Sequence, residues 1–366
     1  MNQLNQDTTK PSGLDRHGVR RNWASWVPYA AAVWSLVVAA MAGGWLIAGT
    51  GYPLPTDPQR SASVLAGLSA EAGSVMVLCG GLVAAALSLL AARGHILGRL
   101  NRAAVVALVL LAVPLLFLIP DSNLLVMIGY APVFVVGAPF GWPGGSYLDL
   151  VTWETVFQLL SVVGGLLLVS TALVLRRRAR RGCKSCGRTA LRARWSTPES
   201  ATVWGRWAVL VAVLVPLVYG MDRWAWAARI PLGISQDFLD GMHRTGMVWS
   251  GFGLGTFALI GVVLTLGLLQ GWGEIFPRWM LGLAGKRVPP MLAIVPATMV
   301  SILVMSATAP ILKTGLGIAE ANGPGSMGWL QVAILGAFPI WSAALGAATL
   351  AYHLRRRGTC PSCHRH

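Results

Sequence analysis

Residues 152–175 read TWETVFQLLSVVGGLLLVSTALVL, and residues 176–188 continue directly with RRRARRGCKSCGR. The first stretch carries a single charged residue, Glu154. Since an α-helix rises about 1.5 Å per residue, it is long enough to cross a hydrocarbon layer about 30 Å thick. Arginines directly after a membrane helix are typical of its cytoplasmic end. The stretch therefore predicts a transmembrane helix that ends in the cytoplasm and leads into a pair of cysteines.

The composition extends this prediction to the whole chain. Of the 366 residues, 55% are hydrophobic and 11% are charged, and the mean hydropathy is +0.63. Soluble domains carry about 25% charged residues, so a water-facing surface is excluded. With five cysteines, a disulfide-rich secreted scaffold is excluded as well. We predict an all-α, multi-pass membrane helix bundle whose main partner is the lipid bilayer.

The apolar runs predict eight membrane helices. They lie near 27–48, 67–92, 103–119, 152–175, 205–222, 246–270, 291–314 and 327–354. A further apolar stretch, 122–140, contains two glycines and two prolines. A ninth crossing there would break the charge pattern described next, so we predict that 122–140 is a re-entrant or interfacial segment.

The basic residues test this topology independently. Of the 29 lysines and arginines, 24 fall on every second segment between the predicted helices, beginning with the N-terminal segment. Because cytoplasmic loops are enriched in basic residues, this distribution predicts that both termini are cytoplasmic. The net charge of +16 is then best interpreted as contact with anionic lipid headgroups at the cytoplasmic face, and not as nucleic-acid binding.

The two halves of the chain resemble each other. Trp23-Ala-Ser-Trp26 opens the first predicted helix, and Trp204-Gly-Arg-Trp207 opens the fifth. An arginine run and a C-x2-C pair follow both the fourth and the eighth. We predict two parallel four-helix repeats. They cover 23–188 and 204–366, with a disordered tail at 1–22 and a cytoplasmic linker at 189–203.

The two cysteine pairs are the sharpest chemical signal. Cys183-Lys-Ser-Cys186 and Cys360-Pro-Ser-Cys363 have the spacing that lets two thiolates bind one tetrahedral zinc ion. If a pseudo-twofold axis relates the repeats, all four sulfurs meet at one zinc ion and lie within about 4 Å of one another. Two other interpretations stay open: local metal binding with His364 or His366, and redox-active or free thiols. The basic residues expected to balance the charge of the centre are Arg178, Arg181, Lys184 and Arg357.

The most polar segment on the predicted outer side is 222–245. Together with outer carboxylates elsewhere in the chain, it is a candidate site for an external ligand. This candidate site comprises Asp57, Glu71, Glu154, Asp222, Arg223, Arg229, Asp237, Asp240 and His243. A solvated loop with weak ion pairs explains the same residues and remains the alternative.

Motifs for other chemistry are missing from the sequence. None of the six histidines is central in a predicted helix, so we expect no haem. Without a phosphate-binding loop or a catalytic motif, we expect neither nucleotide binding nor enzymatic activity. The sequence favours a non-catalytic membrane protein whose zinc knuckles stabilise the bundle or dock a cytoplasmic protein partner. The alternative is a transporter or channel with a path between the two repeats.

Several motifs of the second half carry a family resemblance. They are Trp224-Ala-Trp226, Ile230-Pro-Leu-Gly233, Trp272-Gly-Glu-Ile-Phe-Pro-Arg-Trp279 and Arg287-Val-Pro-Pro290. Together with the C-x2-C endings, the chain resembles a group of multi-pass membrane proteins from high-GC Gram-positive bacteria that have no assigned activity. The resemblance implies a location in the bacterial plasma membrane and transfers no site residue.

Overall fold

The computed structural model describes residues 23–56, 65, 67–96, 98–137, 139, 146–183, 186–188, 194–278, 282–321, 328–360 and 363. Within these residues the chain forms eleven α-helices. They are α1 Trp23–Ala48, α2 Ala70–Arg93, α3 Gly98–Phe117, α4 Ser122–Gly137, α5 Trp153–Ala179, α6 Pro198–Ala227, α7 Gln236–Thr245, α8 Met247–Leu266, α9 Pro290–Ala321, α10 Trp329–Gly336 and α11 Phe338–Arg355. The predicted tail at 1–22 lies outside the described residues.

Eight helical segments are long and apolar enough to cross a membrane, which confirms the predicted all-α bundle of eight spans. They are Trp23–Ala48, Ala70–Arg93, Gly98–Phe117, Trp153–Ala179, Pro198–Ala227, Met247–Leu266, Pro290–Lys313 and Leu330–Arg355. As predicted for 122–140, α4 is not among them. Its 16 residues extend about 24 Å, which is less than the thickness of the hydrocarbon layer.

The fifth and eighth spans differ from their predicted forms, each because of a local signal. α6 begins at Pro198, before the predicted start at 205, because the Thr197 side chain accepts a hydrogen bond from the backbone N–H of Ser200 and proline suits the first helical turn. The eighth span is two helices, α10 and α11, with a break at Ala337. Pro339 lies in the first turn of α11, where it does not continue the hydrogen-bond ladder of the preceding helix.

The spans pack mainly within each half of the chain. In the first half α1 packs against α2 and α5, and α3 packs against α5. In the second half α6 packs against α8 and α11, and α9 packs against α11. The halves meet where α3 and α4 contact α9, around the buried apolar residues Leu116, Leu124 and Leu303.

Glycine allows the closest approaches between helices. A Cβ on Gly81 of α2 would lie 3.0 Å from the Cβ of Ala39 on α1. Gly255 of α8 faces α6, where an added Cβ would lie 2.7 Å from the Cβ of Arg223. The glycines of the GFGLG segment at 251–255 therefore include one that is needed for helix packing in the membrane.

Candidate metal centre

The four cysteines of the two C-x2-C pairs form one cluster. The sulfur atoms of Cys183, Cys186, Cys360 and Cys363 all lie within 4.8 Å of one another. The Sγ atoms of Cys186 and Cys363, which are 177 positions apart, are separated by 3.6 Å. The cluster lies where both α5 and α11 end, so these two helices run to the same face of the bundle, which we call the cysteine face.

A tight turn positions the first pair. The backbone N–H of Cys183 donates to the carbonyl of Arg188 at 2.9 Å, and the N–H of Gly187 donates to the carbonyl of Cys183 at 2.8 Å. Gly187 has a φ of +74°, a left-handed conformation that side chains disfavour. The glycine after the second cysteine therefore lets the chain fold back and present both thiols on one side.

The second pair is anchored to the first through the backbone. Cys360 is buried, with 4% of its surface exposed. Nη1 of Arg188 donates a hydrogen bond to the carbonyl oxygen of Gly358 at 3.0 Å. The Arg188 side chain and the contact between the sulfurs of Cys186 and Cys363 thus join the two pairs.

Each arginine run also links the region of its cysteine pair to a neighbouring span of the same half. Arg178 donates from Nη1 to the carbonyl oxygen of Ala91 near the end of α2. Arg355 donates from Nη2 to the carbonyl oxygen of Leu268, two residues after α8. In both pairs the donor follows the acceptor by 87 positions.

Burial and neighbouring charges affect the protonation of Cys186 in the cluster. Burial, together with hydrogen bonds from the Cys186 thiol to the other cysteine sulfurs, raises the pKa of Cys186 to about 11. The thiolate of Cys186 is favoured in turn by the charge of Arg177, which lies over the ring of Trp23 at 4.6 Å. The sequence did not single out Arg177. Two of the basic residues predicted to balance the charge of the centre can be compared with this result. Arg178 instead donates a hydrogen bond to the carbonyl of Ala91, and Lys184 lies outside the described residues.

The donor set fits a single ion with four thiolate ligands. Metal–sulfur bonds of about 2.3 Å in a tetrahedron place the sulfurs about 3.8 Å apart, close to the 3.6 Å between Cys186 and Cys363. The upper bound of 4.8 Å is wider than the predicted 4 Å, and binding would contract the cluster slightly. An iron–sulfur cluster holds its cysteines farther apart, because iron and sulfide atoms lie between them. The alternative ligands His364 and His366 lie outside the described residues.

The predicted external site is only partly assembled. Asp222 is buried with 2% of its surface exposed, and its Oδ1 accepts a hydrogen bond from Nε2 of Gln331 at 3.0 Å. Arg223 lies 3.7 Å from Asp222 and over the rings of Tyr219 and Trp226. Nε2 of His243 contacts the carbonyl of Trp226 at 2.9 Å.

The remaining members of the predicted external site have other surroundings. Glu154 accepts a hydrogen bond from Gln158 within α5, and Asp240 accepts one from Gln236 within α7. Glu71, Arg229 and Asp237 are exposed, and Asp57 lies outside the described residues.

One buried carboxylate of the described residues, Asp121, is not among the predicted site residues. It is 1% exposed, and burial raises its pKa. Its Oδ1 accepts from the backbone N–H of Asn123 at 2.8 Å, and its own N–H donates to Oε1 of Gln158 at 3.3 Å. The signal was present as a lone acid between two apolar segments, where burial is costly unless hydrogen bonds compensate.

Comparison with known proteins gives no match to a family model, to a curated protein or to a solved structure. The resemblance to membrane proteins of high-GC Gram-positive bacteria stays a prediction. The functional argument therefore rests on the geometry of this chain.

Proposed function

We propose that this multi-pass membrane protein is a non-catalytic protein of the bacterial plasma membrane in which one zinc ion joins two four-helix repeats. The ion binds Cys183, Cys186, Cys360 and Cys363 and closes the cysteine face, where it also shapes a surface for a cytoplasmic protein partner. The observation that carries the proposal is the meeting of four sulfurs from distant parts of the chain within 4.8 Å.

The charge of the surroundings supports zinc at this position. A zinc ion with four thiolates has a net charge of about −2, and Arg177 is placed to offset part of it. Zinc-knuckle sites contribute on the order of 10 kcal/mol to folding. Such an ion would hold the ends of α5 and α11 together against the repulsion between the two arginine runs.

The proposal of repeats is supported by a constant shift of 177 positions. Adding 177 to Ala91, Arg178 and Cys183 gives Leu268, Arg355 and Cys360, which make the corresponding contacts in the second half. Inverted repeats would put the ends of their last helices on opposite faces. The shared cysteine face therefore favours repeats of the same orientation.

The orientation in the membrane is part of the proposal and has its own test. If the cysteine face is cytoplasmic, reporter fusions after residues 190 and 366 give an inside signal, and a fusion at 236 gives an outside signal. An outside signal at 190 or 366 would overturn this orientation, which rests on the distribution of basic residues.

Metal analysis of the purified full-length protein tests the zinc proposal. We expect one zinc per chain in the wild type and in Cys79→Ser, a matched control whose cysteine is exposed on α2. The double variants Cys183→Ser/Cys186→Ser and Cys360→Ser/Cys363→Ser should each lose the ion completely. Two ions per wild-type chain, or retention of metal by either double variant, would show that the pairs bind separately.

A transporter or channel is the second candidate, and buried carboxylates favour it. Asp121 and Asp222 are buried near helix ends in an apolar bundle, and ionisable groups in such positions often serve ion or proton movement. Each lies within one half, whereas the described contact between the halves is apolar around Leu116, Leu124 and Leu303. Uptake assays with Asp222→Asn in proteoliposomes test this candidate, which requires a substrate-dependent flux that the variant abolishes.

A further inference from the structure

The second half contains an apolar cavity of about 390 Å³ that extends from the cysteine face into the bundle. At the end towards the cysteine face, which we call the mouth, it is lined by the segment after α8, including Trp272 and Phe276, and at the other end by Val300 and Trp341. From Leu292 to Val300 along α9, both of which line it, the cavity covers about 12 Å. This depth is close to one leaflet of a hydrocarbon layer about 30 Å thick.

The cavity lies on the side of the bundle that faces lipid. It is lined by both α8 and α9, and these two helices hardly touch each other in the described part of the chain. Small residues leave the space: Gly261 and Ala297 line the cavity, and a Cβ on Gly261 would meet no atom within 4 Å. An acyl chain can therefore enter sideways between α8 and α9.

Positive charge surrounds the mouth. Arg355 and Arg356 donate hydrogen bonds to the carbonyls of Leu268 and Val288, two residues that line the cavity. The nearby acid is Glu274, at 3.9 Å and 3.7 Å from these arginines. The Nε atoms of both arginines are buried without an acceptor among the described residues. Arg278, Lys286 and Arg287 add further positive charge in the same segment.

We propose that this cavity is a binding site for one anionic phospholipid from the leaflet at the cysteine face. One acyl chain occupies the space between α8 and α9, and the phosphate lies at the mouth, where basic side chains outnumber Glu274. The apolar lining excludes a polar substrate, and the excess of positive charge favours an anionic headgroup over a zwitterionic one. The site is independent of the metal centre, so either proposal stands if the other fails.

Lipid retention by the full-length protein tests the proposal. The protein is reconstituted in vesicles with equal amounts of phosphatidylglycerol and phosphatidylcholine and extracted in mild detergent, and the lipid that co-purifies is quantified by mass spectrometry. We expect about one phosphatidylglycerol per chain, and a loss of at least tenfold in Gly261→Phe or Ala297→Phe, which fill the cavity. Gly253→Phe is the matched control, because Gly253 lies on the same helix away from the cavity and also has no atom within 4 Å of an added Cβ.

Three results would overturn the proposal. Equal retention in Gly261→Phe, Ala297→Phe and Gly253→Phe would place the bound lipid elsewhere. Equal amounts of phosphatidylcholine and phosphatidylglycerol would remove the headgroup assignment. Absence of retained lipid from the wild type would exclude a specific site. Because all variants keep the four cysteines, their zinc content serves as a separate measure of correct folding.

Discussion

At the ends of both α5 and α11 an arginine binds a backbone carbonyl, but the loops around the two contacts differ. Arg178 and Arg355 each bind a backbone carbonyl 87 positions earlier. In the first half the acceptor Ala91 precedes a short loop to α3, which begins at Gly98. In the second half the acceptor Leu268 lies at the start of a long segment, 267–289, that pairs with itself between Ile275 and Arg287. This segment brings Glu274 to Arg355 and Arg356.

The comparison shows which features the two halves share and which they do not. The contacts that build the cysteine cluster keep their spacing, whereas the loop beside them differs in length. The cavities differ accordingly. In the first half an apolar cavity of about 240 Å³ lies towards the opposite face, beneath Tyr52 and Leu54. The cavity of this half at the cysteine face is smaller, about 210 Å³, and is lined by Arg177, Arg178 and Cys183. In the second half the long segment forms the mouth of the larger cavity at the cysteine face.

Removal of either cysteine pair should have the largest effect. Cys183→Ser/Cys186→Ser and Cys360→Ser/Cys363→Ser should destabilise the protein equally, because a shared ion is lost from both. The expected loss is a large part of the roughly 10 kcal/mol that a zinc-knuckle site supplies. Thermal unfolding in detergent measures it, and a chelator should destabilise the wild type but neither double variant. Unequal losses would mean that one half binds metal alone.

The two buried glutamines should differ in importance. Gln331 makes the one hydrogen bond found for the Asp222 carboxylate among the described residues, so Gln331→Leu should cost about 3 kcal/mol. Gln158 accepts from the backbone N–H of Asp121, whose carboxylate also accepts from the backbone and the side chain of Asn123 and so keeps partners without Gln158. Gln158→Leu should therefore cost about 1 kcal/mol.

Unfolding free energies in the same detergent measure both glutamine variants. The double variant Asp222→Leu/Gln331→Leu is the control, and it should recover part of the loss because the buried carboxylate is removed together with its hydrogen-bond partner. Equal losses for Gln158→Leu and Gln331→Leu would contradict this account of the two halves.

Arg178 and Arg355, which make corresponding contacts in the two halves, allow the most closely matched comparison. Arg355 is 15% exposed and also lies 3.9 Å from Glu274, whereas Arg178 is exposed. We expect Arg355→Gln to lower the free energy of unfolding by about 2 kcal/mol and Arg178→Gln by about 1 kcal/mol. Denaturant unfolding measures both, and the exposed Arg176 provides a control, Arg176→Gln, that should change little. A larger loss at Arg178 would reverse the comparison.

Substitution of the glycines beside the two cysteine pairs should have the smallest effect. Gly187→Ala strains a residue at φ +74° and places a Cβ 2.6 Å from Nε of Arg177, so we expect a loss of about 1 kcal/mol. Zinc affinity should fall roughly tenfold, as competition with a chelator would measure. Gly358→Ala, two positions before Cys360, adds a Cβ that meets no atom within 4 Å and should leave the zinc affinity unchanged. If Gly187→Ala and Gly358→Ala have the same zinc affinity, the left-handed conformation at residue 187 does not matter for zinc binding.

The sequence predicted those features that depend on length, charge and spacing. Eight spans and the cluster of Cys183, Cys186, Cys360 and Cys363 follow from apolar runs and from the repeated endings. The partners of Asp121 and Asp222, and the role of Arg177, depend on how each helix is rotated about its axis. The spans are apolar on every side, so no amphipathic stripe reveals that rotation. The break at Ala337 depends on Pro339, whereas prolines inside α9 leave that helix continuous.

X-ray absorption at the zinc edge of the purified wild-type protein tests whether one ion joins the two halves. With one zinc per chain, the account predicts four sulfur ligands at about 2.3 Å, because Cys183 and Cys186 share the ion with Cys360 and Cys363. A first shell of two sulfurs with two nitrogen or oxygen ligands would contradict it. A single cysteine pair would then hold the ion with other ligands, and the two halves would not be joined through a metal.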